Sequence, residues 1–281
     1  MCMKFGAHLS VAGGFEKALE RAEAIGANAL DIFSGSPRSF NVPKIEAGVA
    51  KAFKERAAKL KISPIYFHAS YLLNLASEEP GGDLSVKMLI GEFAIASACG
   101  IKGSVVHIGS FKDAQGEQKK RQFDLVVERI KTILSKTPKD TLFIIENAGT
   151  RKIGQTMEEI GEIVKAVKDA RLKVCLDTCH LHAAGYDLST KEKLDAFLKQ
   201  FDKLVGLERL ECFHINDSRD PFGSLRDRHD NIGEGQIPKS VFKLLLNHPK
   251  TREIPFIIET PGFDDTGPDK KNLDILKAMV E

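Results

Sequence analysis

The sequence predicts an α/β fold, a single (β/α)8 TIM barrel occupying residues 1–281 as one domain, with the active site at the C-terminal face of the strands. Three observations carry that expectation. Apolar runs of strand length alternate with helical patterns from end to end, in about eight strand-then-helix units, the number that closes a parallel barrel at this chain length. Six of the runs end in a side chain competent to bind metal: His68, His107, Glu146, Asp177, His214 and Glu259. No linker, low-complexity tract or composition step marks a second domain. A doubly wound open sheet is the alternative, but such a sheet gathers its ligands at one switch point, whereas these close six different runs.

Taken in order, residues 5–7 open as a strand, and Gly13-Gly14 lead into a helix over 15–25 that Gly26 stops. Residues 29–33 form the second strand, followed by a polar loop through Pro43 and a charged helix over 49–60. After the strand ending at His68, a long loop reaches Gly81-Gly82. Asp83 is then expected to cap a helix that runs to Cys99 and ends at Gly100. The strand ending at His107 precedes a helix over 118–134, whose apolar face is Phe123, Val126, Val127, Ile130, Ile133 and Leu134. Beyond Glu146, Thr156 with Glu159 reads as a capping box for a helix reaching Val167. Residues 174–176 form a strand that places Asp177 at its end and His180 in the following loop. Ser189 with Glu192 repeats the capping device, Pro238 suits the first turn of a helix through Leu246, and Asp269 is expected to cap a last one over 272–280.

Composition narrows the class. Hydrophobic residues make up 42% and charged ones 28%, ordinary for a soluble globular protein. A net charge of +2 is too mild to indicate a DNA-coating protein, although it leaves room for a locally positive groove. The cysteines, Cys2, Cys99, Cys175, Cys179 and Cys212, are odd in number and form no C-x-x-C pair, which argues against a disulfide framework and for a reducing compartment. No signal-type core opens the chain and no run approaches membrane-spanning length, so a cytoplasmic location is expected.

The chemistry follows from the strand ends. Parallel strands all point one way, so their terminal residues converge on one rim although they span nearly 200 positions. His180, Asp227 and His229 on adjoining loops add three candidates, and an extended segment would aim Asp227 and His229 at one ion. Five imidazoles and four carboxylates without a thiolate suit zinc, with manganese or iron as substitutes. Nine ligands divide into about three sites with positions left open for water or substrate. Three divalent ions against four such carboxylates leave about +2, a cleft built for phosphate. Two close metals would generate hydroxide near neutral pH and brace the attacking and leaving oxygens. A lone histidine is more often a hydrogen-bonded structural residue. That reading is kept for His248, in a surface-like turn, for His182, and for His8, which faces the rim without ligating. Cys175, Cys179 and Cys212 read as small buried hydrophobes.

At these residues the chain resembles the endonuclease IV family of apurinic/apyrimidinic endonucleases, of the xylose-isomerase-like TIM barrel superfamily, over nearly its whole length. The motifs include Gly6-Ala7-His8-Leu9-Ser10, His68-Ala69-Ser70-Tyr71-Leu72-Leu73-Asn74-Leu75, Leu176-Asp177-Thr178-Cys179-His180, His214-Ile215-Asn216-Asp217-Ser218 and Asp227-Arg228-His229. The resemblance implies a trinuclear zinc cluster in which Glu146 bridges two ions. His68 and His107 would hold one, Asp177, His214 and Glu259 would complete the second, and His180, Asp227 and His229 would hold the third. It also implies base excision repair: hydrolysis of the phosphodiester 5′ to an abasic site, giving a 3′-hydroxyl and a 5′-deoxyribose phosphate, and removal of 3′ blocking groups. Arg38, Tyr71 and Leu72 would be the DNA-contacting residues. The implied partner is double-stranded DNA with an abasic site or blocked 3′ end, with no membrane and no obligatory protein partner. Two departures stand out. Ser36-Pro37-Arg38-Ser39-Phe40 replaces a common Asn-Gln-Arg-x-Trp pattern, keeping the arginine, and Pro238 follows Ile237 where a glycine is usual. The rival readings are a single-metal sugar isomerase or epimerase, needing only Glu146, Asp177, His214 and Glu259, and a lesion binder without turnover.

Overall fold

Alternation along each strand decides whether a side chain meets the outer helices or the barrel interior. The computed structural model describes residues 3–281; the opening Met1-Cys2, part of the stretch read above as lacking a signal-type core, lies outside them. The first half of the chain runs β1 (Phe5–His8), α1 (Phe15–Ala24), β2 (Ala29–Phe33), α2 (Ala47–Leu60), β3 (Ile65–His68), α3 (Gly81–Cys99), β4 (Gly103–Val106) and α4 (Gly116–Lys136). The second half runs β5 (Leu142–Glu146), α5 (Met157–Val167), β6 (Leu172–Asp177), α6 (Thr178–Ala183), α7 (Lys191–Leu204), β7 (Leu210–His214), β8 (Asp217–Ser218), β9 (His229–Asp230), α8 (Lys239–Asn247), β10 (Phe256–Ile258) and α9 (Lys270–Lys277). Strands β1 to β7 and β10 close a barrel in which all eight neighbouring pairs are parallel. This is the expected (β/α)8 architecture.

Two cores result. The larger lies between strands and helices. The smaller, Tyr66, Val105, Ile144, Cys175, Cys212 and Ile257, is packed inside the barrel. The period of two then explains the rim. Counting two residues on from each of these interior side chains gives His68, His107, Glu146, Asp177, His214 and Glu259. The apolar layer is the floor on which the polar one stands, and it excludes water from below.

Several local expectations are corrected. The segment after Asp177 is not a loop but the short helix α6, because Asp177 Oδ1 accepts the His180 N–H at 2.9 Å and caps it. The cap of α7 is Thr190, whose hydroxyl accepts the Lys193 N–H, not Ser189. Helix α3 begins before Asp83, with Pro80 at its N-cap and no side-chain cap; Asp83 lies in the first turn. Pro238 stands at the N-cap of α8, just outside the first turn. His248 is buried rather than in a surface turn, with Nε2 2.9 Å from Asp195 Oδ1. Thr156 and Asp269 do cap α5 and α9 as expected. An unforeseen antiparallel pair, β8 with β9, spans the mouth-side loop that carries Asp227. Among the described residues no helix is long and apolar enough to cross a membrane.

Candidate metal centre

Glu146, fully buried at the end of β5, is the hub of the rim. Its Oε2 lies 3.0 Å from His107 Nε2 and 3.2 Å from His68 Nε2, while its Oε1 lies 3.0 Å from His214 Nδ1 and 3.5 Å from His180 Nδ1. Glu259 Oε2 approaches the same His214 Nδ1 at 3.2 Å. His180 Nε2 is 3.0 Å from Asp227 Oδ1, and His229 Nε2 is 3.5 Å from both Asp227 Oδ1 and Asp177 Oδ2. All nine rim residues named from the sequence therefore come together. Overlapping sets whose ligand atoms lie within 4.8 Å of one another include His68–Glu146–His214, His107–Glu146–His180, His180–Asp227–His229 and Glu146–Asp177–His214–Glu259.

The donor set fits divalent ions. His68 Nδ1 donates to the Ala69 carbonyl at 3.0 Å and His180 Nδ1 to the Asn147 carbonyl at 2.9 Å. Those bonds fix the tautomers and leave Nε2 lone pairs facing carboxylate oxygens. Two such acceptors repel unless a proton or a cation sits between them. His107 Nδ1, His180 Nε2, His214 Nε2 and His229 Nε2 are buried without a hydrogen-bond partner among the described residues. Burial acts to raise the Glu146 carboxyl, but His107, His214 and His68 outweigh it and hold it well below the usual range. Burial lowers His107 to about 4, leaving a neutral imidazole suited to ligation. For His68 burial is opposed by Glu146, Glu259 and Asp31, which lift it to about 10. Burial lifts the Asp177 carboxyl, partly offset by His180 and His229.

A cavity of about 260 Å3 opens onto this cluster, lined by His8, His68, Tyr71, His107, His180, Asp227, His229, Glu259 and Pro268. Tyr71 and Leu72 stand out from the rim, 65% and 44% exposed. Arg38 is exposed on the loop after β2, which is tied to theirs by the Tyr71 N–H to Pro37 carbonyl bond at 3.1 Å. Neither Leu72 nor Arg38 lines the cavity itself. In the altered loop, Phe40 is partly buried against the main core.

The sequence model of the xylose isomerase-like TIM barrel family matches residues 19–279. The chain is 39% identical to the probable endonuclease 4 of Thermosipho africanus, covering 99% of each. The crystal structure of endonuclease IV from Thermus thermophilus matches with a TM-score of 0.85 and 33% identity over 98% of each chain. The chain belongs to the endonuclease IV family. A D-tagatose 3-epimerase-like protein also matches, with a TM-score of 0.75 and 22% identity over 99% of this chain and 97% of that one, a likeness of fold alone.

Within this endonuclease IV rim, sequence reasoning missed the supports. Asp31, fully buried in β2, approaches His8 Nδ1 at 3.2 Å and His214 Nε2 at 3.5 Å. It is a fifth carboxylate at the cluster, and it lowers the expected charge from about +2 to about +1. An acid within the apolar run Ala29-Leu30-Asp31-Ile32-Phe33 was the signal. Asn147 Oδ1 accepts the Asp177 N–H at 2.6 Å. Asn216 donates Nδ2–H to Asp177 Oδ2 at 2.6 Å and accepts the backbone N–H of Glu259 at 2.7 Å, so one amide orients the Asp177 carboxylate and fixes the main chain at Glu259. Asp217 takes no part. Its carboxylate accepts the N–H groups of Gly233, Gly235 and Ile237, and a Cβ on Gly235 would collide with its Oδ1. His8 lines the cavity without joining the sets above. His182 faces away, against Phe222. Cys179 nears Asp177 and His229, but burial and Asp177 push its thiol far up, so it stays protonated.

Proposed function

We propose that the chain is a metal-dependent DNA repair endonuclease, one domain throughout. It would hydrolyse the phosphodiester 5′ to an abasic site, leaving a 3′-hydroxyl and a 5′-deoxyribose phosphate, and trim blocked 3′ ends. The observation that carries this reading is the two-sided use of Glu146, with His68 and His107 on one oxygen and His214 and His180 on the other. A single-ion isomerase site needs neither His68 nor His107. The names of the relatives support the same reading.

His68 and His107 would hold one ion, Asp177, His214 and Glu259 a second, and His180, Asp227 and His229 a third, with Glu146 bridging the first two. Zinc suits these ligands, and manganese or iron would substitute. When bound, such a cluster supplies an activated water near neutral pH and offsets charge on the phosphoryl group. The chain's own groups do the rest. Asn147 and Asn216 orient Asp177, Asn216 also tethers Glu259, and the carbonyls of Ala69 and Asn147 aim the imidazoles of His68 and His180. The abasic sugar, unstacked, enters the cavity at lower cost than an intact nucleotide, which supplies selectivity. Tyr71 and Leu72, protruding beside it, fill the gap in the stack, and Arg38 grips the backbone from the neighbouring loop. No side chain is needed as nucleophile. The buried free thiols Cys99, Cys175, Cys179 and Cys212 suit a reducing compartment such as the cytoplasm.

Glu146→Gln removes the bridging charge, and incision of an abasic duplex should fall by at least about a hundredfold. Cleavage at the parent rate would remove the mechanism. Tyr71→Ala should weaken abasic-duplex binding by roughly 1–3 kcal/mol while metal content holds. Equal loss of both would make Tyr71 a structural residue.

A further inference from the structure

Beside the metal cavity, on the same rim, lies a second groove of about 290 Å3 between the loops after β4 and β5. Its walls carry Lys112, Lys119, Arg151 and Lys152 against one carboxylate, Glu159. Glu159 is already engaged. It accepts the Gly154 N–H at 2.6 Å and lies 3.8 Å from Lys119 Nζ, which also stands 5.1 Å from the centre of the Phe111 ring. Among the described residues, Lys112, Arg151 and Lys152 have no carboxylate within 4.0 Å. Like charges are thus held together without a protein counterion, which costs energy unless an anion arrives.

The groove is preformed. The Ile153 N–H donates to the Gly109 carbonyl at 3.0 Å, joining the two loops, and the Ala148 N–H donates to the Gly154 carbonyl at 3.0 Å, closing the second. Gly109, at φ +119°, lies so close to Asn74 Oδ1 that no side chain fits, and Asn74 in turn holds both the N–H and the carbonyl of Ser110. Loops fixed in this way lose little freedom when they bind. The loops start at the cluster itself: His107 opens the first, and Glu146 ends the strand immediately before Asn147, which opens the second.

We propose that this groove binds a backbone phosphate of duplex DNA next to the scissile one, which rests on the nuclease reading above. The ligand class follows from the lining. Phe111 is buried and the exposed walls are cationic, so the groove offers charge without the apolar centre a protein partner needs. Such a contact positions the duplex over the cavity and reads no sequence.

The test is fluorescence anisotropy across a salt series, with a labelled abasic duplex and an undamaged duplex of the same sequence. It compares the parent, the triple variant Lys112→Gln/Arg151→Gln/Lys152→Gln, and Lys199→Gln, exposed on α7. The triple variant should bind both duplexes about tenfold more weakly at low salt. Its slope of log K against log salt should fall by about one. Lys199→Gln should follow the parent. If the triple variant is poorly folded, Lys112→Gln alone should move both readouts in the same direction. An unchanged slope, or equal weakening by Lys199→Gln, overturns the proposal. Should the parent bind with the expected salt response and yet fail to incise the abasic duplex, the nuclease reading falls and the groove stands as a duplex-phosphate site.

Discussion

Glu92 lies fully buried on α3 and accepts hydrogen bonds from Ser34 Oγ and Ser104 Oγ. Burial pushes its carboxyl up to about 7, against an ordinary value of 4.5, with the two serines working the other way. Between those values the folded protein holds a proton that the unfolded chain has lost, so stability falls as pH rises through that window. Glu92→Gln keeps one donor and one acceptor for the serines and removes the charge. Its stability should exceed the parent's at pH 8 by roughly 3 kcal/mol, read as a higher thermal midpoint, and nearly match it at pH 4.5. An equal difference at both pH values would show that ionisation is not the cause. Residues of this kind are hard to read from a sequence. Six of the nine rim residues were legible because each ends an apolar run, and His180, Asp227 and His229 because they stand as metal-competent side chains on adjoining loops. Asp31 was passed over because it stands inside one, and Asn216 because an amide carries no ligand signal of its own. Glu92, in a long helix with other charges, looks like any solvated residue until the fold closes.

At the scale of elements, Asp177 does two jobs. One carboxylate oxygen caps α6 through the His180 N–H, while the other meets Asn216 and His229, so the same side chain orients a helix and enters the cluster. That helix was illegible because six residues show no amphipathic period. The hairpin of β8 and β9 was equally hidden, its two-residue strands being ten residues apart. Strands β3 to β7 and β10 were plain for the opposite reason, being apolar runs with a polar stop. At α7 the cap stands one position beyond the one its sequence pattern suggests. Ser189-x-x-Glu192 has the capping-box pattern, yet Thr190 has the extended backbone that lets its hydroxyl reach the third N–H. Thr190→Ala should therefore cost about 1 kcal/mol in chemical denaturation, and Ser189→Ala less than about 0.5 kcal/mol. The reverse ranking would restore the box at Ser189.

For the molecule as a whole, closure of the barrel is what turns six dispersed strand ends into one site. The interior layer from Tyr66 to Ile257 keeps water out beneath them, and the loops after β2 to β5 and β7 build the surface above. The chain carries only +2 overall, so attraction for a polyanion must be local, in the cluster and in the groove at Lys112, Arg151 and Lys152. The endonuclease fold is shared with sugar epimerase-like barrels, and what separates the two readings is how many ions the rim holds. Elemental analysis of the purified, dialysed protein tests this most directly. The account predicts about three divalent ions per chain, with a loss of about one when His68 and His107 are both changed to alanine. A parent value of about one ion, unaffected by that double change, would contradict it.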